Sequence, residues 1–118
     1  MIDNNAEVCA ILSLVGTTYF QYPTSFATFP IISYWDSGHE ADGFYDGKST
    51  VDKPEITVDV WEKEDPLTGA LIKIHAQMDS AMRAHGFIRA NPIVGTYETD
   101  THVYHYQGKY KKLYEEID

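Results

Sequence analysis

The groups in this chain that metal binding, proton transfer or nucleophilic attack would draw on are Cys9, five histidines and an acidic, glycine-bearing stretch, WDSGHEADGFYDGKST, from Trp35 to Thr50. Structural zinc sites recruit cysteine pairs, and a single cysteine cannot supply them. Cys9 lies in an apolar helical stretch without an obvious base partner, so it reads as a small core residue rather than a nucleophile. His102 and His105 fall on opposite faces of a strand, and His75 and His85 diverge by roughly 80° on an ideal helix. All five histidines therefore read as surface residues. The acidic stretch fails as an EF-hand: counted from Asp36, the third position is Gly38, the sixth is Ala41 and the twelfth is Gly47, where the loop needs a ligand, a glycine and a glutamate. No GxSxG, P-loop, GxGxxG or HExxH pattern is present. The chain is expected to carry no catalytic residue, no metal and no cofactor, and not to be an enzyme.

What remains is shape. Asn4 to Val15 reads as a helix, with Asn4 and Glu7 forming a capping box and Val8, Ile11, Leu12 and Val15 on one face. Tyr19, Phe20, Tyr22 and Pro23 follow in a loop, then Phe29 to Trp35 reads as an apolar strand. Glu55 to Lys63 is a second strand. Ile56, Val58 and Val60 point one way and Thr57, Asp59 and Trp61 the other, the alternation of a sheet buried on one side. A second helix is predicted with Asp65 as N-cap, Pro66 at its first position, and an apolar stripe of Leu67, Leu71, Ile74, Met78 and Ala81/Met82. Gly86 suits the left-handed residue beyond the helix, with Phe87 folding back on Met82. Two further strands are expected at about Ile93 to Glu98 and His102 to Tyr114, joined by a turn at Thr99 to Thr101. The expected fold is one α+β domain over residues 1–118: an antiparallel sheet of about four strands, two helices on one face, and a long hairpin-like loop.

Hydrophobic residues make up 43% of the 118 residues, enough for one domain with its own core. The net charge of −9 argues against binding nucleic acid through phosphates and against anionic membranes. The apolar run VCAILSLVG is too short to span a bilayer and lacks the basic flank of a secretory signal.

Two features point toward contacts with other subunits. The stretch of about 36–54 is too long for a minimal hairpin, and such loops on compact domains are usually functional or disordered. Phe44 and Tyr45 sit at its middle, flanked by Asp42 and Asp46, as an aromatic anchor on a flexible arm would. Further along, Tyr104, Tyr106, Tyr110 and Tyr114 share one strand parity. Tyrosine offers an apolar body and a polar tip, so this face is either half-buried or a docking surface. A tail of about 111–118 closes the chain.

Taken in order, FP-I-ISYW, the glycine- and acid-rich loop, ITVDVWEK, MDSAMRAHGFIRA, YETDT and the alternating last strand resemble the tail-completion and tail-to-head joining (tail terminator-like) proteins of long-tailed bacteriophages and prophages. The resemblance covers roughly Phe29 to Tyr110. Where that family's final strand often ends in an arginine–aromatic pattern, this chain has Gly108-Lys109-Tyr110. The resemblance implies a non-enzymatic virion protein at the head–tail interface, made in the bacterial cytoplasm. It further implies a ring of like subunits, possible as a hexamer, between head connector and tail tube proteins, with DNA passing through it unbound. Its neighbour contacts would draw on Phe44, Tyr45, Asp42, Asp46, Tyr104 and Tyr106. A small acidic phage-encoded regulator acting on a host protein is the competing expectation.

Overall fold

A computed structural model describes residues 4–24, 29–45, 49–63, 73–112 and 114–117; for residues 39–45, 49–53 and 114–117 the backbone alone is described. The chain forms an α+β domain with helices α1 (Asn5–Ser13) and α2 (Ile74–Ala84) and strands β1 (Thr17–Phe20), β2 (Ile31–Tyr45), β3 (Ser49–Lys63), β4 (Ile88–Arg89), β5 (Val94–Glu98), β6 (Val103–Lys111) and β7 (Tyr114–Ile117). These seven strands make one mixed sheet ordered β1-β2-β3-β6-β4, with β5 also paired to β6 and β7 also paired to β3. Four strands were expected, and the three extra ones are short. β1 pairs parallel to β2, Thr17 opposite Ile31, where a loop was expected. Its four residues carry too little alternation to announce a strand, and Gln21, with φ 69, turns the chain away directly afterwards. β4 is two residues long, and β7 replaces the expected tail.

The core lies between the helices and one face of the sheet. Ile32 and Tyr34 on β2, Ile56, Val58 and Val60 on β3 and Tyr110 on β6 meet Val8, Ile11 and Leu12 of α1 and Ile74, Met78 and Met82 of α2. These are the i, i+2 positions of the strands and the i, i+3/i+4 positions of the helices, as burial against a common layer requires. Both apolar stripes read from the sequence face this core where the structure describes them, buried but for Val15 and Ala81, which are partly buried; Leu67 and Leu71 lie outside the described residues.

At the helix ends, one expected cap is missing and one expected stop is present. Asn4 makes no side-chain cap; its amide is buried without a hydrogen-bond partner among the described residues, and Glu7 reaches Lys112 instead, at 2.5 Å. Asp65 and Pro66 lie outside the described residues, and α2 begins at Ile74 with Lys73 at the N-cap position. At the other end of α2, Gly86 takes φ 90, its N–H donates to the Arg83 carbonyl and the Phe87 N–H to the Met82 carbonyl, each at 3.1 Å. That is a Schellman ending, and it buries Phe87 in the core.

β2 and β3 do not stop where the apolar alternation does. They stay paired from Ile31↔Trp61 to Tyr45↔Ser49, with register shifts between Asp36 and Gly38 and between Asp42 and Tyr45. The expected loop of about 36–54 is thus largely a ribbon of two strands with bulges beside Gly38 and Gly43. Ser37, the extra residue at the first shift, donates its hydroxyl to Glu55 Oε1 at 2.8 Å, which fixes that bulge. β7 then pairs with Ser49–Asp52 of β3, adding a third strand.

Candidate assembly surfaces

The three-stranded ribbon is the first surface. Beyond Asp36, β2 runs nine more residues to Tyr45, roughly 30 Å at strand rise. Among the described residues neither helix touches β7, and the helices touch β2 and β3 far less than the strands touch each other. The result is a long molecule, 61 × 25 × 23 Å, with a radius of gyration of 16.2 Å; a compact domain of this length has about 13 Å. The backbone of Asp42, Phe44 and Tyr45 lies at the far end of β2, and Asp46 lies outside the described residues.

Tyr104 and Tyr106 belong to a different place. On β6 they pair with Glu62 and Val60 of β3, eleven or more residues along β3 from Ser49, so the structure does not bring them together with the end of the ribbon. Tyr106 lies flat against the His75 ring, centroids 3.7 Å apart, and burial followed by the Glu62 charge raises its pKa. A Cβ on Gly95 would meet the Tyr106 ring at 2.6 Å, so β5 needs glycine there for the ring to lie across it. Tyr104 is half-buried, its ring 4.4 Å from that of Tyr97. This face is largely engaged in the molecule's own packing.

Around it sit charge pairs that sequence reasoning missed. Glu62 is buried and accepts the His75 backbone N–H at 2.6 Å while its other oxygen meets His75 Nδ1 at 3.0 Å. A strand carboxylate thus serves the start of α2, where unpaired N–H groups and the helix dipole favour negative charge. Asp79 of α2 accepts the Tyr110 hydroxyl at 2.7 Å and pairs with Arg89 at 3.0 Å. Tyr110 is fully buried. Burial, the hydrogen bond to Asp79 and the Asp79 charge raise its pKa far above the ordinary value, against smaller lowering by Arg89 and Arg83.

The opposite sheet face was expected to be open and polar. Its centre is closed: Thr57 is fully buried and Asp59 nearly so. Asp59 Oδ1 meets His105 Nε2 at 2.9 Å and accepts from Gln107 Nε2 at 3.0 Å, bracing β3 to β6. The His105 ring stacks on Trp61 at 4.6 Å, and Tyr22 meets Trp61 edge-on. A carboxylate orienting an imidazole is the arrangement of a general base. Here the ring is covered by indole on one side and its bonded carboxylate holds two donors, which makes it a cross-strand tie. His75 and His105 are therefore part-buried partners of carboxylates, a correction to their reading as surface residues. No group of three or more His, Cys, Asp or Glu among the described residues is placed to hold a metal ion.

Compared with models of protein families and with curated proteins, the chain matches none.

Proposed function

We propose that this chain is a structural, non-enzymatic subunit of the head–tail junction of a long-tailed bacteriophage or prophage, a tail-completion or tail-to-head joining protein that works as a ring. The ordered motif set from Phe29 to Tyr110 is what suggests the class. The observation that carries it is the ribbon of β2, β3 and β7 standing off a small body, because a ring needs head-to-tail contacts that close and a projecting arm supplies reach that a compact monomer has no use for. In this reading the arm, with Asp42, Phe44 and Tyr45 at its end and Asp46 next in the chain, grips a sister copy, and the ring sits between connector and tail tube. The acidic surface lets DNA pass without binding it. The protein resides in the virion.

Purified protein added to tailless heads and free tails tests this. Joined particles, with the protein found at the junction by electron microscopy, are the expected result. Heads and tails that stay separate, or mature particles that lack the polypeptide, defeat the reading.

A further inference from the structure

The large hydrophobic side chains left exposed among the described residues fall into two groups on opposite edges of the sheet. Leu14, Phe20, Tyr22 and Trp35 lie on the β1–β2 side, and Ile88, Val94 and Tyr97 on the β4–β5 side. Exposed apolar groups scattered singly need no explanation, whereas gathered ones mark contact surfaces.

The two edges differ in form. On the first, Phe20, Gln21, Tyr22, Trp35 and Asp36 line a hollow of about 390 Å³, three aromatic walls with one carboxylate, at the point where Gln21 holds its left-handed backbone. On the second, Ile88 is 72% exposed and stands between Arg83 and Arg89, which line the same groove. One edge offers an aromatic socket with a negative rim. The other offers an aliphatic knob with positive neighbours, on a chain whose overall charge is strongly negative.

Their levels also agree. Reading across the sheet, Asp36 is opposite Ile56, Ile56 opposite Tyr110, and Tyr110 opposite Arg89. Asp36 and Arg89 therefore occupy one row and, by the alternation along each strand, one face. Ile88 and Trp35 are each one step away from that row, on opposite sides of it, and both belong to the other face. A neighbouring copy set beside the first, edge to edge, brings Arg89 level with Asp36 and Ile88 within two residue steps of Trp35, roughly 7 Å at strand rise.

We infer that two copies of this chain associate edge to edge, with Ile88 of one copy entering the Phe20–Tyr22–Trp35 socket of the next and Arg89 and Arg83 facing its Asp36. Arg89 keeps its bond to Asp79 while doing so, since a guanidinium has five N–H donors. The contact is heterologous, because knob and socket are different surfaces, and such contacts generate rings or filaments according to whether the rotation closes. Knob and socket within two residue steps along the strands need only a small rise per copy, which favours closure. The inference deepens the reading of the chain as a ring subunit and rests on it for its biological setting.

The test is sedimentation velocity of the full chain at high micromolar concentration. Wild type is expected to form oligomers. Ile88→Glu removes the knob and keeps the socket; Tyr22→Glu spoils the socket and keeps the knob. Each alone is expected to lose self-association by roughly tenfold or more, and an equal mixture is expected to form a one-to-one dimer, because one good knob and one good socket remain. Far-UV circular dichroism checks the fold, and Asp36→Lys, an exposed change at the socket rim, replaces Tyr22→Glu if that variant does not fold. Wild type that stays monomeric, variants that associate as well as wild type, or a mixture without the dimer each overturn the inference. Edge association without head–tail joining overturns the proposed function alone, and joining that survives Ile88→Glu overturns the edge contact alone.

Discussion

The body and the arm of this molecule share two strands and are held together by different means. In the body, β2, β3 and β6 present Ile32, Ile56, Val58, Val60 and Tyr110 to two helices, and buried carboxylates tie the layers: Glu62 to α2, Asp79 to Tyr110. In the arm, the same β2 and β3 continue with β7 as their third partner, and among the described residues neither helix touches β7. Three strands are near the minimum for a ribbon to persist in water, and a hydrophobic face or a helix is what usually secures it. The body therefore carries the stability of the fold, and the arm is held by backbone pairing continued outward from it. Substitutions in the two regions should differ in kind: body changes move the unfolding free energy, and arm changes move association.

The largest effect separates them most sharply. Met78 is fully buried between α2 and the sheet, and Met78→Ala is expected to cost about 2–5 kcal/mol, the range for truncating a buried apolar side chain. Urea unfolding measures it, as a lower midpoint at unchanged slope. A midpoint equal to wild type means that α2 is not the lid of the core, and the contrast between body and arm fails at its first step.

Tyr110 probes the body at high pH. Its folded pKa lies above the ordinary value of 10.0, first because it is buried and next because it donates to Asp79. Below pH 10 both folded and unfolded chains keep this proton. Above it the unfolded chain releases the proton while the folded chain holds it, so stability falls as pH rises, by about 1.4 kcal/mol per pH unit for one such group. Tyr110→Phe is expected to remove that part of the slope in alkaline urea titrations. An unchanged slope shows that the hydroxyl titrates as freely in the folded protein as out of it.

How far the sequence discloses this architecture follows from the same contrast. Ile56, Val58 and Val60 alternate cleanly, and Gly86-Phe87 announces the end of α2, because burial on one face and a left-handed turn both leave local signatures. The outer halves of β2 and β3 do not: with glycine at 38 and 43 and acidic residues between, their sequence shows no apolar alternation, and they are held extended by pairing with each other and with β7. β1 and β7, four residues each, are strands because of what lies beside them. The pairs Asp59–His105 and Glu62–His75 depend on the register of β3 with β6 and on where α2 lands, and residue spacing encodes neither. The socket of Phe20, Tyr22 and Trp35 is harder still to read, since Phe20 and Trp35 come together only through the parallel pairing of β1 with β2.

The smallest expected effect on stability is the one that bears on the arm. Phe44 and Tyr45 end β2, with Tyr45 opposite Ser49 at the last pair of the ribbon. Replacing both with alanine leaves every residue of the layers that hold the body unchanged. The unfolding free energy is therefore expected to stay within about 0.5 kcal/mol of wild type, as for surface changes remote from core, cap or buried pair. Assembly is expected to suffer, because an aromatic anchor on a partner-gripping arm carries more of the contact energy than its neighbours do. The decisive measurement pairs urea unfolding with the head–tail joining assay on the same sample. A variant that unfolds easily makes the arm part of the core, and one that folds and joins normally leaves the ribbon without the role its length suggests. Folded but unable to join is the single result that keeps both halves of the comparison.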